Sequence, residues 1–145
     1  MKSYNGWSGR EREDRNTEYN LALRQGTLPE RFRKAGPCEI CGQTVNTRFH
    51  NEQYGPTFRD FLESSHALCP RCHGMLHLRF RHPGRWTAYL RAILSGQRLP
   101  PVPHIGVVFG QLHDDADVPR EPLRWSGPDP APWYMKLTME RGREF

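Results

Sequence analysis

Cys38, Cys41, Cys69 and Cys72 form two Cys-x-x-Cys pairs with 27 residues between them. Two intervening residues let both sulfurs of a pair point at one tetrahedral ion, with Zn–S near 2.3 Å in general. The two pairs support each other, and no thioredoxin-like βαβ pattern surrounds either. They read as thiolate ligands of a structural zinc rather than as a redox dithiol or a disulfide framework. Pro37-Cys38-Glu39-Ile40-Cys41-Gly42 reads as a zinc knuckle in which Gly42 supplies the open turn. Cys69-Pro70-Arg71-Cys72 reads as the start of a helix, where proline suits the first turn. Structural zinc contributes on the order of 10–16 kcal/mol in small modules, comparable to the net stability of a domain.

The second pair runs directly into Cys72-His73-Gly74-Met75-Leu76-His77. On a helix beginning near Pro70, His73 and His77 lie one turn apart on one face and form a chelating pair, while Leu76 and Phe80 suit the core-facing side. His50 follows Cys41 by nine residues. The alternation of Val45, Thr47 and Phe49 predicts a short strand there, and Tyr54-Gly55-Pro56 a turn out of it. A hairpin leading from the knuckle, joined by zinc to the helix, makes a small α+β treble-clef finger on which His50 faces His73 and His77. His82, His104 and His113 lack partners at ligand spacing and are read as having no part in a site.

The order Cys-x-x-Cys, strand-borne histidine, Leu-Cys-x-x-Cys-His-x-x-x-His resembles the HNH endonucleases, the ββα-metal group. It is similar in particular to a phage and plasmid subgroup whose centre reads His-His-Glu-Asp-Tyr; here the centre is His50-Asn51-Glu52-Gln53-Tyr54-Gly55. The resemblance spans residues 37–86, about a third of the chain. It implies a divalent ion held by His73 and His77, His50 as third ligand or general base, and hydrolysis of a DNA phosphodiester. Asn51 stands where the subgroup has its second histidine, and an amide cannot accept a proton. Shifting the register keeps His50 as base but leaves Phe49 at a ligand position. Ser64 occupies the place of the family's middle asparagine, and His66 is an alternative ligand or proton acceptor. A histidine-only set suits Zn²⁺, Mn²⁺ or Ni²⁺ better than Mg²⁺. The alternative function is a catalytically degenerate zinc-binding component of a phage or nucleoprotein assembly, binding nucleic acid or serving as a scaffold. A third reading is a zinc ribbon for protein contacts alone.

The elements that must position these groups belong to a polar chain. It has 145 residues, 36% hydrophobic and 26% charged, with mean hydropathy −0.82, so one modest core is expected. No apolar run is long enough to span a bilayer and no secretory signal is visible, which predicts a cytoplasmic protein. The net charge is +5 and the pI about 9.3. Residues 69–98 contain six arginines and no acid. Arg71, Arg79, Arg81, Arg85 and Arg91 are therefore the expected phosphate contacts, to DNA or RNA, although codons rich in G and C would also favour arginine.

Three stretches follow: a helical N-terminal arm over 1–35, a zinc-bound HNH-like domain with a following helix over 36–98, and an extended proline-rich arm over 99–145. Ser8-Gly9-Arg10-Glu11 reads as a capping box for a helix ending at Gly26, with Tyr19, Ala22 and Leu23 as a thin apolar face. Arg10, Arg12 and Arg15, interleaved with Glu11, Glu13 and Asp14, read as a solvated face. Thr27-Leu28-Pro29-Glu30 predicts a shorter helix to Lys34. Pro83 opens a helix with Trp86, Tyr89, Leu90, Ile93 and Leu94 at helical spacing. Eight of the thirteen prolines fall in residues 99–133, which predicts extended chain with one short strand, Ile105 to Phe109, and an acidic knot at Asp114, Asp115 and Asp117. Trp125, Trp133 and Tyr134 predict that this arm packs on its own domain or on a neighbouring subunit, as a homo-oligomer or larger assembly.

Overall fold

Ser8 accepts a hydrogen bond from the Glu11 amide, and the Glu11 carboxylate accepts one from the Ser8 amide. This reciprocal cap starts α1 (Gly9–Gln25), which ends at Gly26 with φ 69°, a conformation that favours glycine. The computed structural model describes residues 1–112 and 118–139. Among them are five α-helices and one two-stranded antiparallel sheet, a small α+β fold. No helix among them is long and apolar enough to cross a membrane.

After α1 the expected second helix is reduced to a single 3-10 turn, Glu30–Phe32. The Thr27 hydroxyl donates back to the Ala22 carbonyl and so caps nothing ahead of it, while Leu28 and Phe32 are drawn into the core. β1 (Arg48–Asn51) pairs with β2 (Ser65–Leu68), Arg48 opposite Leu68 and His50 opposite His66. Between them α2 (Phe58–Glu63) is opened by a second reciprocal cap, Thr57 with Asp60. The sheet is thus closed by a helix and not by a tight hairpin.

Cys69 caps α3 (Pro70–Leu78), with proline in the first turn as expected. α4 (Pro83–Leu94) buries Trp86, Tyr89, Leu90 and Ile93 and leaves Leu94 more exposed. The strand expected over 105–109 is instead part of a helix, α5 (Ile105–Leu112). Its main packing partner is α3, and a helix satisfies its own backbone groups while presenting Val108 to α3. Gly74 makes that approach possible: a Cβ there would stand 2.8 Å from the Val108 Cβ. His113, Asp114, Asp115 and Asp117 lie outside the described residues.

Two apolar clusters result. One surrounds the cysteines and joins Ile40, Leu68, Leu76, Trp86, Leu90 and Val108 to Tyr134 of the C-terminal segment. That segment is therefore packed on the fold rather than extended away from it. The other joins Tyr4, Leu28, Phe32, Tyr54, Phe61 and Leu62, with Tyr19 and Ala22 of α1 leaning on it. Leu23, expected on that face, is 41% exposed.

Candidate metal centres

The knuckle closes on itself through the Cys38 amide, which donates to the Gln43 carbonyl, and the Gly42 amide, which donates to the Cys38 carbonyl. Gly42 has φ 82°. The first turn of α3 brings the second pair against it. All four cysteines are free thiols, and their sulfurs lie within 4.8 Å of one another. A tetrahedral ion with Zn–S of about 2.3 Å places its sulfurs about 3.8 Å apart. Cys41 and Cys69 Sγ are 3.7 Å apart. The Tyr89 hydroxyl and Cys72 Sγ are 3.0 Å apart, and the Cys72 amide donates to Cys69 Sγ.

The thiols' acidities express the crowding. Cys38 is pushed far down by the thiols of Cys41, Cys69 and Cys72 that donate to it, whereas Cys72 is pushed far up by Cys38, Cys41 and Cys69. Cys38 ionises readily and Cys41 is lowered to about 7, whereas Cys69 and Cys72 resist, because negative charges at this spacing repel. A divalent cation lets all four ionise together, so the donor set fits zinc.

The second cluster lies where β1 faces α3. His50 Nδ1 is 3.3 Å from His73 Nε2, and His77 Nε2 is 2.9 Å from the same atom. Nitrogens on a tetrahedral ion with bonds of 2.0–2.1 Å stand about 3.3–3.4 Å apart. Burial favours the neutral form of all three rings. Burial lowers His50, and burial together with the charge of neighbouring imidazoles brings His73 to about 3 and His77 to about 2. Three unprotonated imidazoles converging on one point are metal-ligand chemistry. The structure thus brings together His50, His73 and His77, and separately Cys38, Cys41, Cys69 and Cys72.

His50 is oriented from behind. Its Nε2 meets the Glu52 carboxylate, which leaves Nδ1 for the cluster. Glu52 also accepts from the Tyr4 hydroxyl and from Asn5 Nδ2, and it pairs with Arg79 at 3.4 Å. Burial works against the Glu52 charge, but His50, Arg79 and Tyr4 outweigh it and hold the carboxyl below its usual range. Glu52 is not among the expected site residues, although its spacing of two from a strand histidine puts both on one face. Tyr4 and Asn5 carry no local signal, being 46 and 47 residues away from their partners.

The remaining site candidates are placed otherwise. His66, opposite His50 in the sheet, is outside the imidazole cluster. Its ring stacks on Trp133 at 3.8 Å and its Nδ1 is 3.0 Å from Glu39. Asn51 donates to the Phe61 carbonyl and the Ser65 hydroxyl, so it ties the end of α2 to β1. Ser64 bonds both the amide and the carbonyl of Gln53 and thereby fixes the chain after β1.

The arginines divide. Arg79 is a correction: it is 0% exposed and donates to Tyr4 and to the Leu76 and Thr138 carbonyls, so it braces the site from within and cannot reach a phosphate. Arg71 forks onto the Pro100 carbonyl, and Arg91 onto the Glu121 and Pro122 carbonyls, which secures the C-terminal segment. Arg85 is half-buried and Arg81 exposed. Arg15, expected on a solvated face, grips the Tyr54 and Pro56 carbonyls beyond β1. Comparison with protein-family models, curated proteins and solved structures gives no match for this chain.

Proposed function

We propose that the protein is an HNH-like, metal-dependent nuclease that hydrolyses DNA phosphodiester bonds, built on a treble-clef zinc core of the ββα-metal type. The observation that carries this reading is the convergence of three neutral imidazoles, His50 from the strand and His73 and His77 from the helix that also bears two of the four cysteines. Cys38, Cys41, Cys69 and Cys72 would hold zinc as a structural ion. His50, His73 and His77 would hold a second divalent ion, Mn²⁺, Ni²⁺ or Zn²⁺ in preference to Mg²⁺. When bound, such an ion polarises a phosphodiester and makes water more acidic.

The chain's own groups orient and insulate. Glu52 fixes the His50 ring so that Nδ1 faces the cluster, and Arg79 and Tyr4 keep Glu52 ionised. Burial keeps His73 and His77 unprotonated well below neutral pH.

A second reading is favoured by Asn51. Its amide stands where the family carries a proton acceptor and is committed to Phe61 and Ser65. In that reading the protein binds nucleic acid through a zinc module and does not cut it.

One experiment separates the two. Supercoiled plasmid incubated with the protein and Mn²⁺, Ni²⁺, Zn²⁺ or Mg²⁺ is expected to be nicked, and His77→Ala to abolish nicking. Salt-sensitive binding with no cleavage under any of these ions favours the second reading.

A further inference from the structure

A cavity of about 300 Å³ opens beside His73, lined by Asn46, Arg48, Leu68, Pro70, Pro103, His104 and Ile105 as well. Beside Leu68, Pro70 and His73 of β2 and α3, its walls come from two parts of the chain that the sequence treats separately. One side is the start of β1, with Arg48 and the preceding Asn46. The other is the approach to α5, with His104.

Two features hold these walls together. Asn46 Nδ2 donates to the Pro103 carbonyl at 3.4 Å across the gap. Gly74, the residue after His73, gives Val108 room to seat α5 on α3. Glycine inside a helix is destabilising by about 0.5–1 kcal/mol relative to alanine, and here it seats α5, so that His104 lines the same cavity as His73. Both Arg48 and His104 are exposed. Among the described residues no ion pair or side-chain hydrogen bond engages either side chain.

We infer that this cavity seats the scissile phosphodiester, with the Arg48 guanidinium on its non-bridging oxygens and the His104 imidazole as the proton acceptor that Asn51 cannot be. The assignment rests on the nuclease reading above. In the step, a water oxygen forms a bond to phosphorus and the bond from phosphorus to the leaving sugar oxygen breaks. The proton of the water passes to the unprotonated ring nitrogen of His104, and the departing alkoxide takes a proton from solvent. Imidazole is the side chain most often used as a proton acceptor in general base catalysis. A guanidinium suits a phosphate because its planar fork matches two oxygens.

The full chain, zinc-loaded and with no second ion added, is titrated with the dinucleotide thymidylyl-thymidine while the side-chain NMR signals of Arg48 and His104 are followed. Saturable shifts of both are expected, and Arg48→Ala is expected to weaken binding about tenfold or more, as loss of a charged hydrogen bond does. In plasmid nicking with Mn²⁺, His104→Gln is expected to lower kcat by about 10²-fold or more with the dinucleotide Kd unchanged. No shift at Arg48 or His104, or nicking by His104→Gln at the unmodified rate while His77→Ala is inactive, overturns the assignment and leaves the metal site standing. Absence of nicking by the unmodified chain overturns the nuclease reading and this assignment with it.

Discussion

His50 and Glu52 stand two residues apart at the end of β1, and the Nε2 of the one meets the carboxylate of the other. The consequence is directional, because it leaves Nδ1 as the atom that faces His73. Partners of this kind raise ligand basicity and fix ring orientation. Glu52→Gln keeps the shape and removes the charge. It is expected to weaken binding of a divalent ion at the imidazole cluster by about 10- to 100-fold while leaving the cysteine-bound zinc in place. Competition with a graded series of chelators, read by metal analysis, checks both halves.

Arg79 and Arg81 look alike in the sequence and do opposite things. Arg79 is buried against Glu52, and truncating one partner of a buried pair strands the other charge. Arg79→Ala is therefore expected to lose about 3–5 kcal/mol of stability, measured by urea unfolding at constant zinc. Arg81→Ala is expected to leave stability unchanged and, if Arg81 touches phosphate, to reduce the salt dependence of DNA binding by about one counterion.

The cysteine cluster sits within the larger apolar core, among Leu68, Leu76 and Trp86. Cys72→Ser, or exhaustive chelation, is expected to cost a large part of the roughly 10–16 kcal/mol that structural zinc contributes and so to unfold the chain. Loss of the helical circular dichroism signal on chelation, restored by added zinc, is the expected result. Retention of the full signal without zinc would remove the structural role assigned to these sulfurs.

Gly74→Val tests the seating of α5. Any Cβ at this position meets Val108, and overpacking of a core contact costs about 1–3 kcal/mol. The expected outcome is that loss of stability, with zinc content unchanged, in calorimetric unfolding.

The parts of the fold carried by local chemistry could be read from the chain. The Ser8–Glu11 cap, the stop at Gly26, the start of α3 at Cys69-Pro70 and the apolar stripe of α4 all follow from neighbours within one or two turns. The two ligand clusters were legible for the same reason, since Cys-x-x-Cys and His-x-x-x-His are spacings of a knuckle and a helix. What was illegible depends on distant packing. α5 carries β-branched residues that read as a strand, yet it is a helix seated through Val108 on Gly74, a contact that no local pattern announces. Arg79 reads as a surface charge until Tyr4, 75 residues away, is placed beside it. α2 had a signal that went unread, the Thr57–Asp60 cap. His66 lies opposite His50, yet Trp133 and Glu39 claim its ring, and nothing near it in the chain says so.

The central claim is that the chain holds two separate ions, one on four sulfurs and one on three imidazoles. Metal analysis of the purified protein beside His77→Ala tests it most directly. Two divalent ions per chain are expected in the unmodified protein, one of them removed by mild chelation, and a single tightly held zinc in His77→Ala. Equal metal content in the two proteins, or sulfurs found paired as disulfides, would contradict it.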